Sequence, residues 1–164
     1  MKDYPLLVNK LPITIKKVWH LSNLIGTVIM LVVGVTLVIG LHLFNWWSPL
    51  WFWLALGYFI VIILLGIGSA LLVPYRYAFH RYEVSSDDLA FQDGYFFRHI
   101  TYVPINRIQH IETTQGPLLR HEGLMELVIQ TAATRHKISG LTVESATTMR
   151  EHIIELVKVA KEDV

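Results

Sequence analysis

Between Lys17 and Arg76 the chain carries no Lys, Arg, Asp or Glu, and that uncharged run constrains its fold more than any other feature. A bilayer crossing takes about 20 mostly apolar residues, each rising ~1.5 Å along a helix. Residues 21–44 and 50–73 both meet that requirement. Between them lies Asn45-Trp46-Trp47-Ser48-Pro49, where Asn and Pro break the apolar pattern and Pro49 has no amide hydrogen to give a preceding turn. The pattern predicts a membrane α-helical hairpin of two transmembrane helices, with the lipid bilayer as their surroundings. Two buried core helices of a soluble protein are the competing reading, but such helices seldom run this long without a charge.

Basic residues orient the hairpin. Lys2, Lys10, Lys16 and Lys17 against Asp3 make residues 1–20 a basic N-terminal tail, Arg76 and Arg81 follow the second span, and the connecting turn carries no charge. This asymmetry predicts a multi-pass protein of the cytoplasmic (cell) membrane with both termini cytoplasmic. Trp46, Trp47, Trp51 and Trp53 around the turn, and Trp19, Tyr75 and Tyr77 at the opposite level, are expected as interface anchors, because amphipathic rings favour the headgroup layer. The first apolar run exceeds a signal-peptide core and no small-x-small cleavage site follows it, so it is expected to stay as an anchor. Ser22 with Gly26, Thr36 with Gly40, and Gly66 with Ala70 fall at helix-contact spacing. They would let the two helices touch, let copies form a homo-oligomer, or simply reflect how common Gly is in membrane helices. No ionisable residue sits mid-span, and His20 and His42 fall at the span ends, which argues against a proton relay or ion pathway.

Residues 74–164 read as one small cytoplasmic domain. From Arg76 onward ten basic residues meet twelve acidic ones, a net −2, while the tail has four basic residues and one acid. Without a concentrated basic face, nucleic acid is not an expected partner. The absence of Cys excludes disulfides and thiolate metal sites and suits a reducing compartment. Residues 75–84, rich in aromatic and β-branched types, read as a strand that ends at Ser85-Ser86-Asp87-Asp88. Residues 89–92 then reach the hairpin signal Asp93-Gly94, and 95–103 continue as a strand to Pro104. In 124–131, Met125, Leu127 and Ile129 alternate with Glu126, Val128 and Gln130, the pattern of a sheet with one covered face. A last strand over 135–139 is expected to end at Gly140. From Val143 the period changes: Ala146, Met149, Ile153, Leu156 and Ala160 recur at steps of three and four, with Thr142 placed as an N-cap, Glu144 in the first turn, and Lys158 and Lys161 near the end. This apolar stripe is expected to cover an open barrel mouth; pairing with another chain is the alternative.

Two motifs stand between these elements: Val103-Pro104-Ile105-Asn106-Arg107-Ile108-Gln109, and Gln115-Gly116-Pro117-Leu118-Leu119-Arg120-His121-Glu122-Gly123-Leu124. Together, as P-x-x-R-I-Q and G-P-L-x-R-x-x-G, they resemble the signature of bacterial membrane proteins with a PH-like domain, the YdbS type. The likeness extends to the hairpin over 89–94, to Ile138-Ser139-Gly140-Leu141 with Ala146, and to the two preceding spans, and so covers most of the chain. The resemblance implies an α+β PH-like domain, an antiparallel and partly open β-barrel capped by a C-terminal helix. It implies little about chemistry, because PH-like folds host many binding roles.

Within the motifs, Pro104, Ile108, Gly116, Pro117 and Gly123 are expected to be structural: proline fixes backbone turns, and glycine permits tight or left-handed ones. Arg107, Gln109 and Arg120 are the candidate binding residues, since a guanidinium holds a carboxylate or phosphate in a two-pronged geometry that Gln can support. The competing expectation pairs Arg107 and Arg120 inside the domain with acids such as Glu112 or Glu122. No catalytic, metal or cofactor site is expected. His80, His99, His110, His121, His136 and His152 form no i, i+4 pair or H-E-x-x-H motif, and Gly66-Ile67-Gly68-Ser69-Ala70 lies within a span and lacks a phosphate-loop Lys. The reading is a non-catalytic membrane-anchored interaction module, a subunit of a larger membrane assembly in a cell-envelope function. Its partner is then a membrane protein, with a longer PH-like relative as one candidate. A phospholipid-headgroup sensor is the alternative, and an enzyme without a recognisable motif the third.

Overall fold

The computed structural model describes residues 6–94 and 98–162. Lys2, Asp3, the first three residues of the strand expected over 95–103, and the side chain of Lys161 lie outside what is described. The chain divides into two compact units, Trp19–Val73 on the one hand and Met1–Val18 with Pro74–Val164 on the other.

The first unit is a helical hairpin. Helix α1 (Ile15–Leu43) has 29 residues and α2 (Pro49–Phe79) has 31, so each is roughly 43 Å or more long against a hydrocarbon core of about 30 Å. Only 6 % of each apolar window is buried, whereas the core helix of a soluble protein would be mostly covered. Helix α1 ends in a Schellman turn: Asn45 takes positive φ (59°), its amide donates to the His42 carbonyl (3.1 Å), and the Trp46 amide donates to the Leu41 carbonyl (3.0 Å). Ser48 opens α2, its carbonyl accepting from the Trp51 amide (3.0 Å), and Pro49 occupies the first helical position, where its missing donor costs nothing. The expected anchor rings sit at the helix ends: Trp46 and Trp47 in the turn, Trp51 and Trp53 at the start of α2, Trp19 near the start of α1, and Tyr75 and Tyr77 in the last turns of α2.

Two close approaches hold the hairpin. Asn23 Nδ2 donates to the Gly66 carbonyl (2.9 Å), Thr27 Oγ1 donates to the Asn23 carbonyl (2.9 Å), and the Ser69 hydroxyl donates to Asn23 Oδ1. A Cβ on Gly66 would lie 2.8 Å from Thr27 Oγ1. Further along, Tyr58 donates to the Met30 carbonyl (2.8 Å), and a Cβ on Gly34 would lie 2.4 Å from the Tyr58 ring. Of the small residues expected at helix contacts, Gly66 is at one, while Gly26 and Gly40 have open space around them. Gly34 does that work instead, because its position relative to an aromatic ring on the other helix is not encoded by spacing along its own.

Residues 75–79 extend α2 rather than begin a strand. Tyr75, Tyr77 and Phe79 alternate like strand residues, but helical i, i+4 contacts win: the Tyr75 and Phe79 rings meet at 4.7 Å and the His80 amide donates to the Arg76 carbonyl (3.2 Å).

The second unit is built on two antiparallel sheets. One has the order β1 (Asn9–Lys10), β2 (Arg81–Val84), β3 (Asp88–Gly94), β4 (Arg98–Pro104); the other has β5 (Ile108–Thr114), β6 (Leu124–Thr131), β7 (Arg135–Thr142). The sheets do not close on one another, as in a partly open PH-like barrel, and helix α4 (Val143–Glu162) packs across β5, β6 and β7. Thr142 caps α4, its Oγ1 accepting the Ser145 amide (3.1 Å), and Ala146 and Ile153 are fully buried. Leu127, Val128 and Ile129 are all buried, so mid-strand β6 is covered on both faces rather than the one its alternation implied.

The described part of the stretch read as a basic tail is a structured strap. It supplies β1, and Leu7, Leu11, Ile15 and Val18 enter the core. The Leu7 amide donates to Gln92 Oε1 (3.1 Å), its carbonyl accepts from Arg81 (3.0 Å), Tyr77 donates to the Leu11 carbonyl (2.8 Å), and the Lys16 ammonium lies 4.3 Å over the Tyr77 ring. The lysines dominate the composition and hide the apolar residues spaced between them. Gly140 does not end the last strand. It is the extra residue of a bulge in β7, opposite the register shift between Met125 and Glu126, with φ 95°. A Cβ there would lie 2.5 Å from Ile15 Cδ1, so the strap passes directly over this glycine.

Candidate functional site

Strand β4 edges one sheet and β5 edges the other. The chain passes between them through Pro104 (φ −59°) and a 3-10 turn, Ile105–Arg107. Ile105 and Ile108 are buried and fasten this turn to the core, and the Ile105 amide donates to the Asp87 carbonyl (3.0 Å). With both isoleucines inside, Asn106 and Arg107 are left exposed. Gln109 follows as an unpaired bulge residue, since Ile108 pairs with Thr131 and His110 with Gln130. A bulge redirects a side chain out of the ladder's alternation, and Gln109 lines the same groove as Arg107.

This groove has a volume of about 800 Å³. One wall is Thr101–Pro104 of β4 and the other is the β6–β7 turn, 131–134, with His136. The turn is held rigidly. Thr131 Oγ1 accepts the amides of Thr134 (3.0 Å) and Ala133 (3.3 Å), while His136 Nε2 meets Thr134 Oγ1 at 2.8 Å and its ring stacks on Phe91 at 5.6 Å. Arg107 is the one Lys, Arg, Asp or Glu among the described lining residues.

The internal pairing weighed for the arginines is not what the described residues show. Glu112 pairs with Arg135 and Glu122 with Lys17 (3.8 Å), leaving both Arg107 and Arg120 exposed. Nor does the fold bring the three candidates together. Arg120 lies on the short helix α3 (Pro117–His121), beyond the far end of β5, roughly 20 Å of extended strand from Arg107. In α3, Pro117 takes the first helical position and Gly123 the left-handed conformation (φ 66°) that ends the turn. Gly116 has ordinary extended backbone (φ −73°), so no left-handed geometry explains it.

Tyr102, Thr131, Thr134 and His136 were not singled out from the sequence. Tyr102 is 57 % exposed on an edge strand, and the small polar run Thr131-Ala132-Ala133-Thr134 is a turn signal; what joins them to Arg107 is sheet register alone. Elsewhere, Glu126 bridges β5, β6 and β7 through Thr114 (3.4 Å), Ser139 and Lys137 (3.0 Å). Burial pushes its carboxyl upward, but the hydrogen bonds from Ser139 and Lys137 and the lysine charge outweigh that and hold it below the usual range. Among the described residues no group of three or more His, Asp or Glu is placed to hold a metal ion.

The model of the family described as bacterial PH domain matches residues 11–157, which takes in the second half of the strap, both long helices and strands β2 to β7. The UPF0699 transmembrane protein YdbS of Bacillus subtilis (strain 168) is 35 % identical over 150 residues, covering 90 % of this chain and 91 % of YdbS. No solved structure matches the chain. With two helices long and apolar enough to cross a bilayer, two open antiparallel sheets and a terminal helix, the chain belongs to the bacterial PH domain family as a membrane protein homologous to YdbS.

Proposed function

We propose that this protein is a non-catalytic, membrane-anchored interaction module whose PH-like unit binds a partner through the groove around Arg107 and Gln109. The observation that carries the reading is an exposed guanidinium that, among the described residues, has no carboxylate partner and lies in a groove lined by no acid. A guanidinium in that setting is available for a charge-assisted bond to an incoming acceptor. In this reading both termini are cytoplasmic, which the basic residues flanking both spans support. The partner is another membrane protein, a longer relative bearing several PH-like domains being one candidate, within an assembly that serves the cell envelope.

The test is photo-crosslinking in cells from a photo-reactive amino acid at Ala133, which lines the groove and is exposed. A discrete protein adduct is expected, and Arg107→Glu should lower its yield roughly tenfold, the effect of losing a charge-assisted hydrogen bond of about 1.5 kcal/mol. The headgroup alternative draws on Arg120 and His121, exposed together on α3. Salt-sensitive binding to anionic vesicles, lost in Arg120→Ala and restored by Arg120→Lys, would establish that reading instead. A yield indifferent to Arg107→Glu would remove the groove from consideration.

A further inference from the structure

The strands that line the groove are the open edges of their sheets. Strand β4 pairs with β3 on one side only and β5 with β6 on one side only, so among the described residues each presents an outer edge without a strand partner. Such an edge carries a row of amide and carbonyl groups at alternate residues, which is a template for another strand. Proteins blunt this hazard with charges, proline or short edges. Here β4 runs for seven residues, and its proline comes last, at Pro104, leaving Thr101, Tyr102 and Val103 before it.

We propose that the groove receives an extended, acidic peptide segment of a partner protein, added as a strand along the β4 edge with one carboxylate on Arg107. This rests on the interaction reading above and specifies its ligand. Three observations favour a peptide over other anionic ligands. The groove, about 800 Å³, is far larger than one phosphate group requires. Among the described residues it offers a single guanidinium, whereas a free phosphate or a lipid headgroup is ordinarily held by several converging donors or a cluster of basic residues. Its walls otherwise combine amide, hydroxyl and imidazole groups with apolar surface from Pro104, Ala132, Ala133 and the exposed Tyr102 ring, chemistry suited to a backbone and its alternate side chains. The preorganised Thr131–Thr134 turn opposite β4 limits the ordering that binding would require. Pro104 sets the register: it lacks an amide hydrogen, so pairing stops there, next to the turn that carries Arg107.

The experiment uses the full chain in lipid nanodiscs and an array of peptides as long as β4, each carrying one Asp at a varied position, with Asn-matched controls. Binding should favour Asp at one register position, and Arg107→Ala should abolish the Asp-over-Asn preference. Arg107 is exposed and, among the described residues, without a pairing acid, so this substitution is expected to leave folding intact. N-methylation along the best peptide should weaken binding roughly fivefold at alternate residues and little between them, because each lost strand hydrogen bond is worth about 1 kcal/mol and only every second amide faces β4. Failure of every peptide to bind, a methylation scan without a period of two, or an Asp preference that survives Arg107→Ala would overturn strand addition. Competition by inorganic phosphate or anionic vesicles at the same Arg107-dependent site would overturn it too. If strand addition fails while crosslinking from Ala133 still depends on Arg107, the interaction reading stands and only the ligand is wrong. If the crosslink ignores Arg107 as well, both fall.

Discussion

Replacing Ile153 by Ala tests the packing of α4 on the barrel most directly. Ile153 has no exposed surface, so the substitution removes three buried carbons, worth about 2.4 kcal/mol at ~0.8 kcal/mol each. A residual cavity adds to this, because neighbours such as those in β5 and β6 relax only partly, which places the expected loss at about 3–4 kcal/mol. Leu156, on the same stripe, is partly exposed, so Leu156→Ala should cost less than Ile153→Ala. Val159 is 52 % exposed and serves as the control, with an expected change within about 0.5 kcal/mol. Native-state hydrogen exchange on the full chain in nanodiscs reads these differences from the slowest β6 amides. Sedimentation or light scattering in parallel reports self-association. An Ile153→Ala effect below that of Leu156→Ala, or intact stability with lost self-association, would show that this face of α4 serves a contact between chains.

Topology is open to reporter fusions at Lys2 and Val164: both should read cytoplasmic, and an external signal from either would overturn the orientation argued from the basic flanks. Gly140→Val should destabilise the PH-like unit by more than about 2 kcal/mol, since it combines strained φ with a collision against Ile15. Relief by Ile15→Ala in a double mutant would confirm the contact, and a neutral single mutant would refute it. Glu126 has a folded pKa below its unfolded one, so its contribution is present at neutral pH and is lost as pH falls through the lowered value. Glu126→Gln should therefore reduce stability at pH 7 and flatten its acid dependence, and an unchanged acid limb would contradict the Ser139 and Lys137 hydrogen bonds as the cause.

Features written in local physics were legible in the sequence. The two long helices follow from apolar runs that need no partner to be recognised, and their junction from Asn45, Ser48 and Pro49. The terminal helix follows from a stripe at steps of three and four and from the Thr142 cap. Asp93-Gly94 points to a β3–β4 hairpin but misplaces its turn, since both residues pair within the ladder, with His99 and Arg98, while the paired proline and glycine motifs carry the family likeness. What tertiary structure alone decided is pairing between residues distant in the chain. Residues 6–18 look like a charged tail until Leu7, Leu11 and Ile15 find the core. Gly140 looks like a strand breaker until Ile15 crosses it, and Gly34 is one glycine among many until Tyr58 packs on it. The candidate site divides the same way. The chemistry of Arg107 and Gln109 was visible from residue type, but the bulge that aims Gln109, the distance that removes Arg120, and the turn at Thr131–Thr134 that completes the groove depend on sheet register. Helix periodicity and capping are properties of neighbours along the chain, whereas register and long-range burial are settled by which surfaces meet, and a single sequence carries no direct record of that.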